Sequence, residues 1–288
     1  MIPKSFIQAW SNQAPWPDYN QIEQDLIISR ALCDLFNTAS LKENIAFRGG
    51  TAINKLLFAQ PLRYSEDIDL VQINPAPIGS AIDAIRDALS WLGKPRREQA
   101  GHSIHLTYKF TPEFNPQSVM KLKVEINTRE HANLLGLREY PFSVSNDWFK
   151  GQTTITSFQP EELFGTKLRA LLQRRKNRDL FDLAEGQRQL TLDAEKILQC
   201  FAFYLEQEGN QISRAHAEQR MLEKLAHDLT EDVVPLLPTG ISFNKDAAVS
   251  AFNGLWKSLI SQIPGDPWKL SETQITALRN SRYPNLLR

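Results

Sequence analysis

The hydrophobic pattern changes character near Pro160, and that change constrains the fold more than any other feature of the chain. Before it, apolar residues alternate with polar ones, as in Met120-Lys-Leu-Lys-Val-Glu-Ile; after it they recur at helical spacing towards the C-terminus. The pattern predicts a mixed α/β (α+β) protein. A mixed sheet flanked by helices is expected over residues 1–155, followed by a mostly helical domain over 156–288. With 288 residues, the chain can form one large domain or two modest ones and bury roughly three quarters of its unfolded surface.

Within the first part, strands are predicted over 102–110, 119–127 and around 138–145, and a helix over 80–92. Asn20 followed by Glu23 resembles a capping box opening a helix that runs to about Phe36. The aromatic residues ahead of it, including Trp10 and Trp16, are expected to pack against the domain. Gly151-Gln-Thr-Thr reads as a polar loop. The second part contains candidate helices at 160–173, 178–187, 193–207, 213–229, 246–260 and 271–280, separated by Gly, Pro, Asn and Thr signals.

Composition excludes several classes. Cys33 and Cys200 are far apart in sequence and no Cys-x-x-Cys pair is present, so neither a disulfide framework nor a thiolate zinc site is indicated. No leader-like segment and no long apolar span is found, which leads to the expectation of a cytoplasmic protein with no membrane partner. The 33 basic and 33 acidic side chains balance, which argues against a uniformly basic nucleic-acid coat but leaves local segregation of charge open.

Two short segments carry the chemistry. In Tyr64-Ser-Glu-Asp-Ile-Asp-Leu-Val, Asp67 and Asp69 flank one apolar residue. On an extended backbone both carboxylates share a face while Ile68 points into the core. Such a pair can hold Mg²⁺, a hard ion that takes oxygen ligands, with Mn²⁺ as an alternative. A third carboxylate from a neighbouring strand would make room for two ions, and Glu125 is the best candidate; its other reading is a partner for Lys123 or Arg129. Upstream, Gly49-Gly50-Thr51 follows an extended stretch and precedes a helix expected over Ala52–Phe58. That arrangement can offer backbone N–H groups and a hydroxyl to phosphate oxygens, or serve as a turn in which Thr51 caps the helix.

Four ordered blocks, Phe47-Arg-Gly-Gly-Thr-Ala-Ile-Asn-Lys, Arg63-Tyr-Ser-Glu-Asp-Ile-Asp-Leu, Lys121-Leu-Lys-Val-Glu-Ile and Lys167-Leu-Arg-Ala-Leu-Leu-Gln-Arg-Arg-Lys-Asn-Arg-Asp-Leu-Phe-Asp-Leu, make the chain resemble the AbiEii/AbiGii abortive-infection toxins of the DNA-polymerase-β-like nucleotidyltransferase superfamily. The resemblance covers about residues 45–185. It implies a nucleotidyltransferase-type sheet, a metal site at Asp67 and Asp69 with Glu125 as third carboxylate, and nucleotide contacts from Gly49, Gly50, Thr51, Lys55, Lys167, Arg174 and Arg178. Asp179 is implied to orient cations or contact the nucleotide. Gly50-Thr51 stands where the superfamily more usually has Gly-Ser, keeping the hydroxyl and adding a methyl group.

Between Leu163 and Arg178 lie six cationic residues and no acidic one. They are expected to form a basic wall, with Lys167 opposing phosphate charge as a point charge and arginines gripping phosphate with paired donors; a solvated helix face is the other reading. Asp182 is expected to brace Arg178 or cap a turn. Lys94, Arg96, Arg97 and Lys109 form a second cationic set suited to an RNA backbone or to no partner at all. The five histidines show no zinc-site pattern.

The reaction implied is transfer of a nucleoside monophosphate from an NTP to an acceptor hydroxyl with release of pyrophosphate. The resemblance points to a tRNA 3′ end as acceptor, a cognate antitoxin and a phage-defence role in a type IV system. Nucleotidylation of a protein or small molecule, and a catalytically silent protein-binding module, remain as alternatives.

Overall fold

The computed structural model describes residues 2–288, which divide into two compact units. The first comprises the chain to Gln159 together with Pro238–Gly240, and the second Pro160–Leu237 with Ile241–Arg288. The elements of the first are α1 (Lys4–Trp10), α2 (Tyr19–Asn37), α3 (Ala39–Lys42), β1 (Ile45–Arg48), α4 (Gly49–Leu56), β2 (Asp67–Gln72), α5 (Gly79–Ala88), β3 (Arg96–Ala100), β4 (Ser103–Phe110), β5 (Met120–Asn127), β6 (Leu137–Ser145) and β7 (Lys150–Phe158).

The strands form a mixed sheet in the order β3-β4-β5-β2-β1-β7-β6. The pairs β2–β5 and β1–β7 are parallel and the rest antiparallel. Period-two alternation then does its work: Ile68 and Leu70 of β2 and Leu122, Val124 and Ile126 of β5 are buried, while Asp67, Asp69, Lys123 and Glu125 occupy the alternate positions and remain partly accessible. Helix α2 packs against β7, β6 and α5. Trp10 and Trp16 are buried as expected, and Trp10 Nε1 donates to Asp25 at 2.9 Å.

Three local expectations are corrected. The cap of α2 is Asp18, whose carboxylate accepts from the Asn20 N–H; Glu23 is instead buried and accepts from the Glu113 N–H. Residues 150–158 are a strand, not a polar loop, because the β-branched run Thr153-Thr-Ile-Thr finds ladder partners in β6 while Ser157 pairs with Phe47 of β1 on the other side. Arg96–Ala100, where no strand was expected, is the exposed edge strand β3.

The second unit contains α6 (Pro160–Gln173), α7 (Arg178–Gln189), α8 (Ala194–Gln207), α9 (Arg214–Lys224), α10 (Lys245–Ser258) and α11 (Ser271–Ser281). Helix α6 packs against α7 and α8. Gly165 allows the second contact, since a Cβ there would lie 2.6 Å from the Cys200 Cβ. The helix expected over 213–229 ends at Lys224, after which residues 225–233 follow turns. Cys33 and Cys200 are both buried free thiols, and burial pushes their pKa values up to about 11 and about 12. No helix among the described residues is long and apolar enough to cross a membrane.

Candidate active site

The parallel register of β2 and β5 sets Asp67 opposite Lys123 and Asp69 opposite Glu125. The alternation that buries Ile68 and Val124 therefore brings Asp67, Asp69, Lys123 and Glu125 onto one face. Gln24 of α2 clasps the heads of both strands, donating from its amide nitrogen to the carbonyls of Glu66 at 2.9 Å and Lys121 at 3.1 Å.

The glycine turn is delivered to the same place by the antiparallel β1–β2 pair, in which Arg48 stands opposite Asp69. Gly49 has φ +81°, and a Cβ on it would lie 2.1 Å from Asp69 Oδ2. Only glycine satisfies both conditions. Gly49, Gly50 and Thr51 open α4, which no side chain caps, so their N–H groups have no intrahelical acceptor and suit an anion. Gly50 contributes in a second way, its carbonyl accepting from Asn54 Nδ2 at 2.8 Å. Asn54 Oδ1 in turn accepts from the N–H groups of Leu62 and Arg63, tying the turn to the segment that leads into β2.

Thr51 is buried, with its hydroxyl 2.5 Å from the Asp67 carbonyl and 2.8 Å from Ser65 Oγ. It braces the start of β2 from beneath. Lys55, grouped by sequence with the phosphate contacts, donates to Asp25 Oδ1 at 2.7 Å and to Ser29 Oγ at 3.0 Å. Its charge is spent on a carboxylate of α2.

Electrostatics on the sheet face follow from crowding three acids around one lysine. Lys123 Nζ lies 3.3 Å from Asp67 Oδ2 and 3.2 Å from Glu125 Oε2. Burial raises the Asp67 pKa against the pull of Lys123. Burial likewise raises Asp69, reinforced by the negative charges of Glu125 and Asp67. Burial works in the same sense on Glu125, but Lys123, Ser103 and His105 overcome it and hold the group below its ordinary value. His105, opposite Glu125 in the β4–β5 ladder, has Nε2 at 3.2 Å from that carboxylate.

The donor set suits a divalent cation. Three carboxylates provide hard oxygen ligands, and their mutual repulsion is relieved by positive charge between them. As placed, no three His, Cys, Asp or Glu side chains among the described residues converge as a metal-binding group, and it is the Lys123 ammonium that stands between Asp67 and Glu125.

A second cluster forms within the helical unit. Lys167 is buried, with Nζ 3.1 Å from Asp179 Oδ1 and 2.8 Å from Asp182 Oδ2; both carboxylates are fully buried. Arg174 grips Asp179 with paired donors, Nε to Oδ2 at 2.6 Å and Nη2 to Oδ1 at 2.7 Å. Burial would raise the Asp179 pKa, yet Lys167 and Arg174 hold it well below the usual carboxylate range. Asp182, expected to brace Arg178 or cap a turn, pairs with Lys167. Arg169 is also buried, paired with Glu208 at 2.9 Å. The expected basic wall of six cations is thus divided: Lys167 and Arg169 are interior groups, whereas Arg174, Arg175 and Lys176 are exposed and Arg178 half-buried. The expectation that Asp179 orients cations matches its contacts with Arg174 and Lys167, whereas helical spacing alone did not show that Lys167 would be drawn into the interior.

The sequence of residues 30–255 matches the family described as nucleotidyl transferase AbiEii toxin of type IV toxin–antitoxin systems. The chain belongs to the AbiEii family. As an AbiEii toxin it is a nucleotidyltransferase acting on an NTP, and its type IV system implies a cognate antitoxin. Its fold is similar to that of MenT4, a nucleotidyltransferase toxin from Mycobacterium tuberculosis H37Rv, with a TM-score of 0.63 at 14% identity, covering 98% of this chain and 100% of that one. A candidate nucleotidyltransferase from H. pylori aligns with a TM-score of 0.48 at 15% identity, over 86% of this chain and 100% of its own. No curated protein matches the AbiEii chain in sequence.

Proposed function

We propose that this AbiEii toxin transfers a nucleoside monophosphate from an NTP to a hydroxyl at an RNA 3′ end, that of tRNA, in a reaction dependent on Mg²⁺. The observation that carries the reading is the register of β2 and β5, which sets Asp69 directly opposite Glu125 with Asp67 on the same face and the Gly49 turn against Asp69. Asp67, Asp69 and Glu125 would hold the metal, which supplies charge neutralisation of the triphosphate and of the departing pyrophosphate. The uncapped first turn of α4 binds phosphate oxygens through backbone N–H groups. During transfer the acceptor hydroxyl oxygen bonds to the α-phosphorus, its proton passes to solvent, and the bond from that phosphorus to pyrophosphate breaks.

An RNA acceptor is supported by Lys94, Arg96, Arg97 and Lys109, all exposed, three of them on the hairpin of β3 and β4 and Lys94 just ahead of β3 at the sheet edge. Such cations contact phosphates without reading bases. Blocking tRNA in the cytoplasm would halt translation, the arrest expected of a toxin in phage defence. The test is incubation of the purified protein with each α-labelled NTP, Mg²⁺ and total RNA or cell protein. Label on tRNA, absent when EDTA is added, is expected; label on protein, or on neither, would overturn the RNA acceptor.

A further inference from the structure

We propose that Lys123 is a tethered, displaceable cation that fills the carboxylate site until a divalent ion takes its place. The inference rests on reading Asp67, Asp69 and Glu125 as metal ligands, and adds a role for a residue outside that set. Three observations carry it. Lys123 lies two residues before Glu125 on β5 and directly opposite Asp67 on β2, so the ladder itself aims its side chain along the acidic face. Its ammonium lies 3.3 Å from Asp67 Oδ2 and 3.2 Å from Glu125 Oε2, joining two strands through the same charge. The side chain of Asp69, by contrast, has no hydrogen bond or ion pair among the described residues, and the negative charges of Glu125 and Asp67 act on it more strongly than the opposing charges of Arg48 and Lys123.

These facts define an exchange. Three carboxylates on one sheet face repel one another, and the lysine offsets that repulsion in the metal-free protein. A single ammonium pairs with two of them and leaves Asp69 without an ion pair of its own. A divalent ion brings twice the charge and prefers carboxylate oxygens, while the flexible four-carbon stem of lysine lets its head swing out without moving the strand. Metal binding therefore competes with an internal ion pair, so the site stays closed at low free metal and opens as metal rises.

The test uses the full chain and Mn²⁺ as probe, with affinity read by calorimetry or by the spin-resonance signal of free Mn²⁺, and without NTP turnover. Lys123→Met should bind Mn²⁺ roughly tenfold more tightly than the parent, the scale of one partly screened ion pair. Its metal-free melting temperature should fall, and saturating Mn²⁺ should close most of the gap. Lys123→Arg, which keeps the charge and grips carboxylates with paired donors, should bind Mn²⁺ no better than the parent. Equal or weaker Mn²⁺ binding by Lys123→Met, or Lys123→Arg binding as tightly as the methionine variant is expected to, would overturn the exchange while leaving the metal site standing. Asp69→Asn is the control for the underlying reading: Mn²⁺ binding by that variant at the parent's affinity, or by none of the proteins including the parent, would overturn the metal site and the exchange with it.

Discussion

Gly49 and Asp69 approach so closely that a single added methyl group at residue 49 would fall 2.1 Å from the Asp69 carboxylate. The backbone φ of +81° adds a second demand on the same residue. Gly49→Ala should therefore lose about 1–2 kcal/mol to the left-handed backbone alone. It should also lose roughly 100-fold in NTP turnover, because Asp69 must move to make room. Chemical denaturation and pyrophosphate release measure the two effects. Parent-like turnover would show that the position of Asp69 against the turn is immaterial.

Lys167 is the interior counter-charge of Asp179 and Asp182. Lys167→Met leaves two fully buried carboxylates short of a cation, and a loss of about 3–5 kcal/mol in unfolding free energy is expected. Urea titration checks this directly. A variant as stable as the parent would mean that the ion pairs are dispensable and the lysine serves elsewhere.

Lys224 lines a cavity of about 820 Å³ in the helical unit, alongside Arg174, Asn177 and Asp232. Its ammonium donates to the Arg174 carbonyl at 2.8 Å. Burial pushes its pKa down to about 8, against the opposing pull of Asp179 and Asp232, while an unfolded lysine titrates near 10.4. Between those values the unfolded chain holds the proton that the folded chain has released, so stability rises with pH across that window. Comparing the parent with Lys224→Met from pH 7 to about 10 isolates this contribution: the parent should gain stability relative to the variant. Parallel curves would contradict the assignment.

Much of the site was legible because strands expose their pattern. Asp67-Ile68-Asp69 and the alternation through Val124 and Glu125 fix which side chains share a face. Register is different in kind, being set by long-range pairing, so the sequence could not say that Lys123 would stand opposite Asp67 and compete for its carboxylate. Alternation did place Lys123 beside Glu125, and that pairing was the signal available. Strand β7 was hidden by Gly151 and five hydroxyl or amide residues, whose ladder partners are Phe47 and residues 137–145. The cations of α6 read as a basic wall, and the burial of Lys167 was not legible because Asp179 and Asp182, which draw it inward, lie on the following helix.

The central claim is that Asp69, held between the Gly49 turn and Glu125, is a ligand of the ion that carries catalysis. Its most direct measurement is pyrophosphate release by Asp69→Asn in saturating NTP, Mg²⁺ and tRNA, alongside its melting temperature. A fall on the order of 1,000-fold in rate, with a melting temperature at or above the parent's, is the result predicted, since the amide removes the charge that a metal needs and relieves repulsion from Asp67 and Glu125. Release at the parent's rate by the folded variant would contradict it.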